Sequence, residues 1–420
     1  MLSSLNSHDE EDDSDHHHRS HHRHHHHGFI TQSTHIRELM ITCADLISRG
    51  NLPAARHAIS LLSTAASPCG DSVDRLAHLF SRALSLRVNR QALAAAAAAS
   101  PVLPPPDPDA LQSAYLMLNQ VTPFIRFCHL TANQAILEAV DGRRSIHILD
   151  FDTAHGVQWP PLLQAIAERY DAANRPSVRI TGTGTDLNTL SRTGERLKCF
   201  AQSLGLRFQF FPLLLPSTGI MSGVDHTGID SSSGFFNLSA FQLHPGETLA
   251  VNCVLFLHKL LRAESTEIQP FLRAIKAMNP AVVTVAEREA NHNSPVFLHR
   301  FMGAVDHYTA MFESLEATLP ASSQERLTVE QVWFGREIAD VVAAEGDERR
   351  ERHERFERWE RALWGAGFAN LPLSPFSLSQ AKLLLRIHYP LEGYQLQMVK
   401  DSLFLGWRGR PLFSVSSWRP

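Results

Sequence analysis

The stretch from Ser145 to Gln164, SIHILDFDTAHGVQWPPLLQ, constrains the fold more than any other part of the chain. It opens with an apolar run, Ile146 to Phe151, too short for a helix and rich enough in branched side chains for a strand buried on both faces. An acidic, glycine-containing turn follows. Pro160 then stands where a helix begins, because its fixed φ suits a first turn, and Leu162, Leu163, Ile166 and Ala167 give that helix an inward face. Strand, loop and helix in this order open a doubly wound α/β domain, in which ligands bind at the carboxyl edge of the sheet, beside the first loop.

With 420 residues, 44% of them hydrophobic, the chain can bury a large core in two or three structural units. No apolar run approaches the ~20 residues of a membrane span, and the amino terminus is acidic and His-rich rather than basic and then apolar. Neither a membrane anchor nor a secretory signal is expected. The five cysteines are scattered, odd in number and without a CxxC pair, which fits a reducing interior and no disulfide or zinc framework. A formal charge of −4 provides no global drive toward nucleic acid.

Around the central stretch the chain changes character twice. Residues 1–28 combine the acidic run Asp9 to Asp15 with ten histidines between His8 and His27. The composition predicts a disordered, solvated tail, since loose histidine tracts lack the fixed geometry of a metal site. Residues 29–142 read as a mainly helical cap. Its first helix carries Ile36, Leu39, Met40, Cys43, Leu46 and Ile47 on one stripe, a second enters through Pro53, and a third, capped by Asp71, repeats Val73, Leu76, Ala77, Phe80, Ala83 and Leu84. Ala94–Ala99 and Pro101–Pro108 read as a linker, and Thr131 with Gln134 has capping-box spacing, predicting a helix start there.

Residues 143–420 read as the α/β core. Strand-like runs at 145–151, 178–182, 207–215, 248–257 and 281–286 alternate with helices near 160–170, 186–204 and 265–278, which predicts parallel strands with right-handed crossovers. Ser217–Gly234 reads as a loop, and Val296–Leu319 as a long helix. Asp347–Arg361 holds six acids and six arginines, with glutamates four residues ahead of arginines, and reads as an exposed, self-paired helix. Leu396–Trp407 and Leu412–Trp418, joined by Arg408-Gly409-Arg410, predict an antiparallel hairpin. The expected fold is a methyltransferase-like, Rossmann-type α/β core with a mostly parallel sheet and an antiparallel C-terminal hairpin, under an α-helical cap.

The methyltransferase pattern raises the question of an enzyme. Loops of that type pair an acidic residue with glycines at alternate positions, so that backbone can approach S-adenosylmethionine. Here Asp150 fills the acidic position, Asp152 and Ala154 replace two glycines, and Gly156 alone remains. The second strand ends in Thr181-Gly182-Thr183-Gly184, not in the carboxylate that would hold ribose hydroxyls, and Asp186 comes only at a helix cap. His147 reads as a satisfied structural histidine rather than a ligand, and the Asp150 and Asp152 carboxylates as groups that close the loop onto backbone amides, the alternative being a shared cation or proton. GxSxG, HExxH and P-loop motifs are absent, so catalytic, cofactor-binding and metal-binding residues are all expected to be none.

The same residues resemble a plant family. Ile146-His147-Ile148-Leu149-Asp150 resembles the VHIID block of the GRAS proteins, and the following QWPPLLQAIAER matches that block. Pro295, Tyr308, Arg336 and Glu337 are similar to the PFYRE region. Arg349 and Glu354 fit R-x4-E, Trp359 and Gly367 fit W-x7-G, and Trp407 and Trp418 fit W-x10-W of the SAW region. The resemblance covers about residues 34–420 and is nearest to the Lateral suppressor branch. It implies a nuclear transcriptional regulator of axillary meristem formation, without established catalysis. Leu39, Leu46, Leu76 and Leu84 would lie in a leucine-rich partner region. Implied partners are other transcriptional regulators, as homo- or heterodimer, and DNA directly or through them, with no membrane. The alternative is a small-molecule-binding protein or S-adenosylmethionine-dependent methyltransferase using the cleft at Asp150–Trp159.

Overall fold

In the computed structural model, β1 (Ser145–Asp150) lies between β2 (Ser177–Gly184) and β4 (Thr248–Val254). Beyond them run β3 (Arg207–Leu214) and β5 (Val282–Arg288), and all five strands are parallel. The structure describes residues 34–95, 107–215, 238–263, 268–390 and 392–420. The tail 1–28, most of the Ala/Pro linker and the loop Ser217–Gly234 fall outside these.

Period-two alternation explains the central strand. Ile146 and Ile148 face the cluster built on α6 (Trp159–Arg169), whereas Leu149 and Phe151 face the opposite cluster, with Phe271 of α8 (Ile268–Ala277). Both faces are covered, as a nearly continuous apolar run requires. The helix α7 (Leu187–Ser203) follows β2 and is capped by the Asp186 carboxylate, which accepts from the amides of Asn188 and Thr189.

The sheet is finished by antiparallel strands. β9 (Arg410–Arg419) pairs with β5, β8 (Ser402–Trp407) with β9, and β7 (Tyr394–Val399) forms the far edge. A short β6 (Ala369–Leu371) pairs with the end of β9. The expected hairpin is therefore β8–β9, but its first run is two strands rather than one. Lys400 and Asp401 take φ of 46° and 64°, and this tight left-handed turn folds β7 back onto β8.

The helical layer combines distant parts of the chain. α1 (34–48), α2 (Leu52–Ala65) and α3 (Ser72–Ala95) share one buried cluster with α9 (Phe297–Thr318) and α11 (Gly335–Ala343). Arg75 of α3 is fully buried between Glu316 of α9 and Glu330, which lies on the π-helical turn Val329–Phe334 joining α10 (Gln324–Thr328) to α11. α4 (Pro108–Val121) is capped by Asp107, and α5 (Pro123–Ala139) lies against β4, β5 and β9. The capping box expected at Thr131 is not a helix start. Pro123 begins α5 eight residues earlier, Thr131 is buried mid-helix, and Gln134 Nε2 donates to Glu138 Oε1 at 2.6 Å.

Candidate functional site at the head of the central strand

The loop after β1 keeps the backbone of a glycine-rich turn without most of the glycines. Asp152, Ala154 and Gly156 take φ of 68°, 46° and 64°, so left-handed residues recur at alternate positions. Glycine is required sterically at the third, where a Cβ would lie 2.5 Å from Thr193 Cγ2. Thr183 at the end of β2 pins the loop: its hydroxyl accepts from the amide of Asp152 at 3.1 Å and its carbonyl from that of Thr153 at 2.9 Å.

Asp150 is held by side chains, not by the backbone amides expected from its loop position. Its Oδ1 accepts from Asn252 Nδ2 at 2.8 Å and its Oδ2 from Trp159 Nε1 at 2.9 Å. Asn252 Oδ1 in turn accepts from Thr284 at 2.9 Å and from Gln158 Nε2 at 3.1 Å, and Gln158 also reaches Asn133. Burial raises the Asp150 pKa to about 7, against the lowering pull of Asn252, Thr153 and Trp159. Asp152 instead pairs with Lys259, both partly exposed.

The Asp150 carboxyl lines a cavity of about 110 Å³. The loop after β1 and the end of β4 form one wall; Trp333 of the π-helical turn, Arg336 and Glu337 form another, and Glu351 and His353 a third. Arg288 at the end of β5 binds Glu337 through two bonds of 2.6 Å, and Tyr308 donates to the same carboxylate at 3.0 Å. Burial raises the Glu337 pKa and Arg288 lowers it in part. Arg336 donates to Glu351 Oε1 at 2.9 Å. Burial opposes ionisation of Glu351, but Arg336, His258, Arg288 and Lys259 around it bring its pKa down to about 2.

The acidic and basic run Asp347–Arg361 departs most from expectation. Residues 349–355 have no regular secondary structure, and the helix there, α12 (Phe356–Gly365), starts only at Phe356. Asp340 accepts from the amides of Arg350 and Glu351 at 2.9 and 2.8 Å, which ties the segment to α11. Arg349, Glu351, Arg352 and His353 are consequently buried and not self-paired on a solvated face. Tertiary partners outweigh the few tenths of a kcal/mol that each i,i+4 pair offers a helix. Arg349 donates to the carbonyl of His292 at 2.5 Å, and Glu354 accepts from Asn293 at 2.8 Å, so this pair clips the segment to the loop before α9.

Of the residues singled out in the sequence, Asp150, Asp152, Ala154, Arg336 and Glu337 line the cavity, with Tyr308 bonded to Glu337. His147 lies elsewhere in β1, between Thr181 Oγ1 at 2.9 Å and Arg179 Nη2 at 3.0 Å, its pKa lowered to about 4 by burial and by Arg179. Pro295 is exposed before α9, Trp359 is buried on α12, and Gly367 takes φ 87° just past it. Trp407 and Trp418 are fully buried in the antiparallel strands. Leu76 and Leu84 are buried in the cap, while Leu39 and Leu46 are half-buried at its rim. Sequence reasoning did not assign Asn252, Gln158, His258, Lys259, Glu351 or His353 to the site. His258 with Lys259 and Glu351 with His353 are close in sequence, but no short-range spacing links these pairs to each other or to Asn252 and Gln158.

Because Asp150 saturates two buried donors, Asp150→Ala is expected to cost about 1–3 kcal/mol or more. Asp152→Ala should cost under about 1 kcal/mol, since its ion pair is exposed. Urea unfolding measures both, and equal losses would contradict this account of the loop.

Residues 36–419 match the model of the GRAS domain family. The chain is 50% identical to Scarecrow-like protein 18 of Arabidopsis thaliana, over 91% of both chains. It is 52% identical to Protein MONOCULM 1 of Oryza sativa subsp. japonica, over 91% of this chain and 88% of that protein. The crystal structure of SCL7 from Oryza sativa superposes with a TM-score of 0.75 at 34% identity, covering 91% of this chain and 99% of that one.

Proposed function

This chain belongs to the GRAS domain family of plant developmental regulators, and on that footing we propose that it is a nuclear transcriptional regulator of the shoot-branching type that does not transfer methyl groups. It acts through contacts with other regulators, and with DNA directly or through them. The observation that carries the non-catalytic part is the head of β1. Asp150 is consumed by Asn252 and Trp159, and side chains occupy two of the three left-handed positions where a cofactor would need bare backbone. At the end of β2, Asp186 is spent on capping α7.

The partner surface is the exposed face of α1 beside Leu39 and Leu46, because Leu76 and Leu84 are inaccessible in the folded protein. Thr42 is exposed one turn from both half-buried leucines, so Thr42→Lys adds charge there without touching the core. Two measurements on the full chain test the proposal. Calorimetric titration with S-adenosylmethionine should give no saturable heat. Light scattering should show Thr42→Lys weakening association at unchanged thermal midpoint. Saturable binding with turnover would favour the enzyme, and unaltered association would move the interface off α1.

A further inference from the structure

We propose that His258, Glu351 and His353 form a binding site for a divalent transition-metal ion of the zinc class, with its remaining coordination positions open to the cavity at the head of β1. The three residues come from separate places. His258 is on the 3-10 turn Leu257–Leu260 that follows β4, and Glu351 and His353 are on the irregular segment after α11. The Arg352 amide donates to the Arg350 carbonyl at 3.0 Å, a tight turn centred on Glu351, and both Glu351 and His353 are buried and line the cavity.

One ligand atom from each of the three lies within 4.8 Å of the other two, and all three residues are buried. His353 Nε2 is 3.4 Å, and His258 Nε2 3.9 Å, from Glu351 Oε2. Metal bonds of about 2.0–2.2 Å place neighbouring ligand atoms roughly 3.3–3.6 Å apart in a tetrahedron, so small side-chain shifts complete the set. Glu351 presents Oε2 to the imidazoles because its other oxygen is taken by Arg336.

The outer groups have the arrangement that metal-binding histidines use. His258 Nδ1 meets Glu287 Oε2 at 2.8 Å, and Glu287 Oε1 also accepts from the His258 amide at 3.2 Å. His353 Nδ1 meets His292 Nδ1 at 3.0 Å. With each Nδ1–H donated outward, both Nε2 lone pairs face the same carboxylate oxygen, an arrangement that a cation between them stabilises. Glu351 supplies the anionic ligand, and Glu287 places a second carboxylate behind His258. Two imidazoles and one carboxylate select a borderline ion over calcium or magnesium, which prefer all-oxygen sets.

The test uses the full chain, stripped with a chelator and titrated with Co2+ and with Zn2+. The ten histidines between His8 and His27 can also take metal, so the readouts are ones that a loose tract does not produce: the visible absorption of tetrahedral Co2+, and a thermal midpoint that climbs with Zn2+ concentration because the ion binds the folded state. His258→Gln, His353→Gln and Glu351→Gln should each lose both. Glu287→Gln, at the carboxylate hydrogen-bonded to His258 Nδ1, should weaken Co2+ binding about 10–100-fold. Replacing His24, His25, His26 and His27 with alanine should change neither readout. If a ligand substitution prevents folding, the wild type and Glu287→Gln still decide. Absence of both signals from the wild type, or their survival at full strength in Glu287→Gln and in every ligand variant that folds, would overturn the proposal.

Discussion

Glu337→Ala is expected to cost about 3–5 kcal/mol, because it leaves the Arg288 guanidinium buried without its counter-ion. Both side chains are nearly inaccessible to solvent, the two bonds between them are 2.6 Å long, and the Tyr308 hydroxyl loses its acceptor as well. A surface pair would contribute under about 1 kcal/mol. Burial makes the difference here, since both side chains have given up bulk solvent and Glu337 makes two short bonds to the guanidinium. Glu337→Gln should be nearly as damaging, because it removes the negative charge. Tyr308→Phe should cost only about 1 kcal/mol, the usual net worth of one hydrogen bond. Urea unfolding of the three variants provides the ranking. A Glu337→Ala loss below about 1 kcal/mol would mean that the Arg288 charge finds solvent, and would contradict the buried geometry.

Trp418→Ala is the second large expected loss, about 3–5 kcal/mol, enough to unfold a protein of ordinary stability or make it insoluble. Trp418 lies opposite Val283 where β9 joins β5, has no exposed surface, and donates its indole N–H to Ser416 Oγ at 2.9 Å. It packs in the cluster that also holds Phe271, Trp359 and Phe404, so its removal opens a void shared by the parallel and antiparallel parts of the sheet. Trp364 is the control: it is 52% exposed at the end of α12, and Trp364→Ala should cost little. Soluble expression and a denaturation midpoint distinguish the outcomes. If Trp418→Ala folds at wild-type stability, the residue is a surface contact and not a seam of the sheet.

Local chemistry explains which elements were legible beforehand. β1 could be read because a short run of branched residues has one stable use in a large domain, a doubly covered strand, and the loop after it because Asp152, Ala154 and Gly156 stand where glycines alternate in related turns. α9 showed itself through Phe297, Phe301, Val305, Tyr308, Phe312 and Leu315, all buried as their spacing requires. The turn at Lys400-Asp401 was not legible, because neither residue carries the glycine or asparagine signal of a left-handed pair.

What the sequence determined by itself was the alternation of five parallel strands with their crossover helices, the antiparallel close and the family, all of which rest on periodicity and on motifs contained in contiguous stretches. Tertiary structure alone decided the cavity. Asn252 reaches Asp150 across 102 positions, Glu337 reaches Arg288 across 49, and Glu351 and His353 arrive beside His258 on a segment whose charges had suggested a solvated helix. The physical reason is range. Hydrophobic period acts between neighbours on one element, whereas a buried charge must be matched by whichever partner the fold brings to it, and the identity of that partner is written in no local pattern.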